Sequence, residues 1–109
     1  MNSKNADEQF ARLGLNLPPA PGPLGVYKPC LVDGRFLYLS GHGPVQDDKT
    51  LIIGRIGKEL DTEQGKRAAL QVGLTILSTI RTHIGKLDTI KRVIKLFGMV
   101  NCVPEFERH

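Results

Sequence analysis

Residues 61–85 read DTEQGKRAALQVGLTILSTIRTHIG, and the start, body and stop signals in this stretch predict one long helix. Asp61 is a favoured N-cap, and Gln64 three positions on completes a capping-box pair. Ala69, Leu70, Val72, Gly73, Leu74, Ile76, Leu77, Ile80 and Ile84 recur at three- and four-residue steps, which puts them on one broad apolar face. Gln71, Ser78, Arg81 and Thr82 fall mostly on the other. Ala69 and Gly73, small residues in the middle of the apolar face, are expected to let the helix approach a sheet closely. Gly85 ends the helix, with His83 in the last turn where a cation is tolerated. A helix this apolar on one side must cover something flat, and the remaining chain supplies strands.

The chain has 109 residues, 40% of them hydrophobic. That suits a single domain, residues 1–109, with one modest core and with residues 1–23 as an N-terminal extension. Fifteen Lys and Arg against eleven Asp and Glu give a net charge of +4, a mild excess that permits an anionic ligand without demanding nucleic acid. No apolar run reaches membrane-spanning length and residues 1–8 are polar, so neither a membrane nor a secretory signal is expected. Cys30 and Cys102 lack metal-like spacing. They read as free thiols of a cytoplasmic protein with no metal.

In chain order, residues 5–17 predict a short helix with Phe10, Leu13 and Leu17 on one side. Pro18, Pro19, Pro21 and Pro23 then make a stiff connector. Residues 26–32 read as a strand that Pro29 confines to an edge or bulge. Asp33-Gly34 is a hairpin turn, and residues 35–39, RFLYL, return as a second strand, bulky and expected to be buried. Ser40-Gly41-His42-Gly43-Pro44 ends that strand abruptly. Residues 46–50 are a polar turn and 51–56 a short third strand. After the long helix, residues 89–100 alternate as a further strand. Val103-Pro104 opens another helix. The expected class is α+β, a helix packed on a mainly antiparallel sheet.

APGPLGVYKP (20–29), GRFLYLSGHGPV (34–45), GRIGKELDTEQGKRAALQVGLTIL (54–77) and LDTIKRVIKLFGMVNCVPEF (87–106), in this order, resemble the RidA/YjgF family of reactive-intermediate deaminases, also described as endoribonuclease L-PSP-like. The likeness covers residues 13–106 and is greatest to a subgroup opening with an LGLxLPP element, here Leu13-Gly14-Leu15-Asn16-Leu17-Pro18-Pro19.

This resemblance implies a chorismate-mutase-like fold and a homotrimer with ligand clefts between subunits. It implies a hydrolase that converts enamines and imines of 2-amino acids to 2-keto acids and ammonia, with no cofactor. Motif by motif, Tyr27 matches a cleft-lining tyrosine, and Ser40 and Gly41 match the serine and glycine at the strand end. His42 stands where glutamine is frequent. The four are the expected substrate-binding residues for a small carboxylate-bearing imine. The family's substrate-gripping arginine and its water-positioning glutamate match no residue here. The last helix and strand that carry them are expected after His109, so the chain is expected to be incomplete at its C-terminus and its catalytic residues are left unassigned.

Imine hydrolysis needs a water, a proton donor or acceptor, and a cation for the carboxylate. Ser40 offers a hydroxyl, Tyr27 a phenol and His42 a titratable ring, although each residue type also serves ordinary turn and packing roles. Two other classes compete with the deaminase. One is a non-catalytic small-ligand-binding trimer, consistent with the unmatched arginine. The other is an RNA-binding or ribonuclease protein, because Gly54-Arg55-Ile56-Gly57 has the GXXG form of a KH clamp. No basic–aromatic interleaving accompanies it, so nucleic-acid binding is not expected.

Overall fold

The computed structural model describes residues 5–22 and 28–109. Helix α2, Thr62–His83, starts and stops where its capping residues dictate. The Asp61 side chain accepts the Gln64 amide at 2.7 Å, and Gln64 Oε1 accepts the Asp61 amide at 2.8 Å. At the other end the amides of Ile84 and Gly85 both donate to Ile80 O, and Gly85 takes the left-handed φ of +109° that glycine tolerates.

The buried side of α2 is rotated from the expected apolar face. Gly65, Leu74, Thr75, Ser78, Thr79 and Ile80 are buried, whereas Leu70 is 48% exposed and Ala69 and Gly73 face solvent. Polar side chains can turn inward because each meets a partner. Ser78, expected on the outer face, donates to Pro18 O at 2.7 Å. The Gln71 amide group donates to Val45 O at 2.7 Å, and Thr75 Oγ1 lies 2.9 Å from Gly43 O. The glycine that permits close approach is Gly65, not Gly73. A Cβ on Gly65 would sit 2.5 Å from Ile56 Cδ1, while one on Gly73 would meet nothing within 4 Å.

The hairpin forms, but its two turn residues are Gly34 and Arg35, since Asp33 is already paired in the strand. Strand β1, Cys30–Asp33, pairs antiparallel with β2, Phe36–Leu39, from Cys30↔Leu39 to Asp33↔Phe36. Gly34 alone of the two turn residues has positive φ (+62°), as a turn with glycine at its first central position requires. The second strand is only half buried. Leu37 and Leu39 face the core, and Phe36 and Tyr38 face outward, because successive side chains alternate across a two-stranded sheet covered on one side.

Neither further strand joins this sheet. Residues 51–56 make only isolated bridges, Val45↔Leu51, Ile56↔Leu60 and Ile56↔Cys102, because Gly54 (φ +141°) and Gly57 (φ +96°) break the extended backbone. Residues 91–100 form no ladder among the described residues. Val93, Ile94, Leu96, Phe97 and Met99 are 72–86% exposed, since no described strand pairs with this segment. The helix expected at Pro104 is a single turn closed by Phe106 N–H to Val103 O.

Helix α1, Ala6–Arg12, is shorter than expected: Gly14 takes a left-handed φ of +67° and stops it, leaving Leu13 exposed. Phe10 packs with Leu74, Ile80 and Leu87 in the core. The Asp7 carboxylate accepts the amides of Leu87 (3.2 Å) and Asp88 (3.0 Å), which open a short 3-10 turn, Leu87–Thr89; Asp88 Oδ1 accepts the Ala6 amide in return. Arg81 closes the arrangement, 3.2 Å from Asp7 and stacked 5.3 Å above the Phe10 ring. These bonds hold the Asp7 carboxyl below its ordinary value, the Asp88 amide contributing most.

The architecture is α+β: a long helix against a two-stranded antiparallel sheet, with the short helix packed on the 3-10 turn. No described helix is long and apolar enough to cross a membrane.

Candidate functional site

The end of β2 is fixed from both sides. Ser40 N–H donates to Pro29 O at 3.0 Å, one step beyond the ladder, and its hydroxyl donates to Lys28 O. The hydroxyl thus ties the hairpin's two open ends together. From there the chain turns through Gly41, His42 and Gly43 and runs onto α2, which grips the Gly43 and Val45 carbonyls through Thr75 and Gln71.

His42 is held at both ring nitrogens. Nδ1 lies 2.6 Å from Ser40 O and Nε2 lies 2.7 Å from Thr79 Oγ1. It bridges the strand end to the helix, which a solvent-facing loop histidine would not do.

A cleft of about 390 Å³ opens beside this segment, walled by Pro19, Pro21, Gly41, His42, Val45 and Lys49. A Cβ on Gly41 would project into open space, and the Gly41 amide has no hydrogen-bond partner among the described residues. Lys49 adds a cation from the turn at 46–50, where it is the sole described non-glycine residue with positive φ (+75°). That turn is braced by Gln46 N–H to Thr50 O (2.8 Å) and Lys49 N–H to Gln46 O (2.9 Å). The Thr50 hydroxyl and amide also donate to Asp48, and these bonds hold its carboxyl below the ordinary value. An amide without a partner among the described residues, a cation and a small apolar floor suit a small anionic ligand. A larger depression of about 510 Å³ lies between Leu15, Asp47, Asp48 and Leu70, but it is more open and holds none of the expected site residues.

Of the four residues expected to bind ligand, Gly41 and His42 line this cleft. Ser40 precedes them with its hydroxyl turned to Lys28 O, and Tyr27 lies outside the described residues. Sequence reasoning missed Thr75 and Thr79. Their signal was the spacing of Gln71, Thr75 and Thr79, a polar stripe four residues apart along one helical edge. Lys49 carried no such signal, because its place depends on a turn conformation unusual for lysine.

The GXXG segment is not built as a clamp. It joins no two helices, and the amides of Arg55, Ile56, Gly57 and Lys58 donate to Glu59 Oε1, Asn101 O, Leu60 O and Arg55 O. These four amides are therefore not offered to a phosphate. The Arg55 amide, as the largest influence, holds the Glu59 carboxyl below its ordinary value. Elsewhere, Cys102 Sγ lies 3.6 Å from His109 Nε2, a pairing that sequence spacing did not suggest, and His83 is exposed in the last turn of α2.

No protein-family model matches the sequence. Protein TCP17 of Trypanosoma cruzi is 36% identical over 95 residues, spanning 87% of this chain and 59% of that protein. A crystal structure of Atu1372, a protein of unknown function from Agrobacterium tumefaciens, superposes with a TM-score of 0.80 at 35% identity, covering 93% of this chain and 62% of that one. The chain therefore spans about three-fifths of the length of these relatives.

Proposed function

We propose that this protein is a RidA-like deaminase of chorismate-mutase-like fold, acting as a homotrimer on small 2-imino or enamine acids in the cytoplasm, without metal or organic cofactor. The observation that carries the reading is the cleft at the end of β2. There Gly41, whose amide has no partner among the described residues, and Lys49 line one small space beside His42. Lys49 supplies a charge partner for a substrate carboxylate, a role for which the family arginine has no counterpart here. The Gly41 amide is a donor for the oxygen that water contributes when it adds to the imine carbon. The resulting carbinolamine expels its nitrogen as ammonia, and the carbon–oxygen double bond of the 2-keto acid forms. Opening Gly41 to the cleft without a Cβ leaves the space this adduct needs.

A second reading is a ligand-binding protein without turnover. It is favoured by the engagement of both His42 nitrogens, which leaves neither free to exchange a proton with a ligand while both bonds hold. One assay separates the two. An amino-acid oxidase generates the imine in situ, and ammonia release is followed with protein and with buffer. Faster release with the protein, reduced at least several-fold in Lys49→Gln and Gly41→Ala, is the deaminase result. Equal release in buffer and with protein, together with carboxylate binding lost in Lys49→Gln, leaves the binding protein.

A further inference from the structure

We propose that Thr79 is the positioning residue that sets the tautomer and the place of the His42 ring. A backbone carbonyl only accepts, so the 2.6 Å contact with Ser40 O requires the hydrogen on Nδ1. That leaves Nε2 as the atom facing Thr79. In the neutral ring it carries a lone pair, and the Thr79 hydroxyl donates to it across 2.7 Å. In the charged ring Nε2–H donates instead, and the hydroxyl turns to give its own hydrogen to the carbonyl one helical turn back, an acceptor always open to a helical threonine. Thr79 is fully buried, so its hydroxyl is held against the protein and not spent on solvent. A hydroxyl serves both charge states, and no aliphatic side chain serves either.

The neighbouring hydroxyls are committed elsewhere. Thr75 Oγ1 is placed against Gly43 O and Val72 O, and Ser78 Oγ against Pro18 O. Thr79 is thus the described α2 hydroxyl that reaches the ring. Of the charged or titratable groups around His42, Lys49 lines the same cleft, Lys28 and Cys30 belong to the hairpin, and Arg81 and His83 lie in the last turn of α2, where Arg81 is paired with Asp7. The arrangement deepens the reading of the cleft given above, but its test reads the imidazole itself and does not need a substrate.

The experiment is a nitrogen-15 NMR titration of the His42 ring in the protein, in Thr79→Ser and in Thr79→Val. In the unsubstituted protein Nδ1 shows a protonated-nitrogen shift throughout, and only Nε2 changes character with pH. Thr79→Ser, which keeps the hydroxyl, reproduces this behaviour. Thr79→Val, nearly the same shape, lowers the midpoint by about one pH unit, a roughly tenfold loss of proton affinity, because the charged N–H has lost its hydroxyl acceptor. Thermal melts of both variants show that the fold persists. If Thr79→Val unfolds the chain, Thr79→Ala with its smaller side chain gives the same titration readout. An Nε2–H tautomer in the neutral protein, or midpoints that coincide in Thr79→Ser and Thr79→Val, overturns the assignment. Where imine deamination is measurable, a Thr79→Val loss in kcat that Thr79→Ser does not share ties the same bond to turnover. NMR agreement without ammonia release leaves the positioning role standing and the deaminase reading refuted.

Discussion

The hydroxyl of Ser78 donates to the carbonyl of Pro18 across 2.7 Å, joining residues sixty positions apart in the buried layer between α2 and the proline-rich connector. Both ends are out of reach of water. Ser78→Ala strands the Pro18 carbonyl and should cost about 1–3 kcal/mol, the usual penalty for one buried orphaned acceptor. Urea denaturation with an unchanged slope and a lower midpoint is the expected record. A midpoint equal to that of the unsubstituted protein would mean that water enters this layer.

Two glycines on the same helix should respond in opposite directions. Gly65→Ala forces a Cβ to within 2.5 Å of Ile56 Cδ1 and 2.9 Å of its Cγ1, so either the helix or Ile56 must move. We expect a net destabilisation of about 1–3 kcal/mol despite the helix propensity of alanine. Gly73→Ala meets open space and should stabilise by about 0.5–1 kcal/mol. Calorimetric melts of the pair test where the close approach lies. A stabilised Gly65→Ala would place it elsewhere.

The Asp7 carboxyl is held below its ordinary value by the amides of Asp88 and Leu87 and by Arg81. A carboxylate with a lower value in the folded than in the unfolded chain contributes stability that is fully present above the unfolded value, about 3.9. That contribution is lost as pH falls through the lower folded value. Below about pH 4, then, α1 should detach progressively from the turn at Leu87–Thr89. Amide exchange at Leu87 and Asp88, followed against pH, should accelerate over that window. In Asp7→Asn the acid-dependent part should vanish, and an identical acid profile in that variant would assign the sensitivity to another carboxyl.

Residues 93–100 place Val93, Ile94, Leu96, Phe97 and Met99 in contact with solvent. An exposed, mainly apolar stretch whose backbone pairs with no described strand promotes association. We expect sedimentation to show species larger than a monomer at micromolar concentration, and Phe97→Lys combined with Met99→Lys to reduce that mass without lowering the melting temperature. A monomeric unsubstituted protein would count against this and against the trimer together.

Local signals carried through the fold where the physics is local. The Asp61–Gln64 capping box, the Gly85 stop and the Gly34 turn are decided by a few neighbouring dihedrals and donors, and they stand as read. The rotation of α2 was not legible, because Thr75, Ser78 and Thr79 look polar until carbonyls from residues 18 and 43 and the His42 ring arrive to meet them. The strand expected at 89–100 rests on alternation, and a strand also needs a partner that pairs with it; at 51–56 Gly54 breaks the extended run. At the site, Gly41 and His42 were visible as the abrupt end of a strand. Lys49 and Thr79 join them only through the tertiary fold.

The exchange of bonds between Asp7 and the amides of residues 87 and 88 also has a kinetic meaning. It closes a circuit of about eighty residues, 80 and 81 positions counted along the chain. Closing a loop of that length is entropically costly unless the intervening chain is already compact, though each doubling adds only about 0.6 kcal/mol. The hairpin and α2 need no such distant encounter. Helix α1 should therefore dock last during folding and leave first during fluctuation, and exchange at residues 6–12 should report openings that α2 does not share.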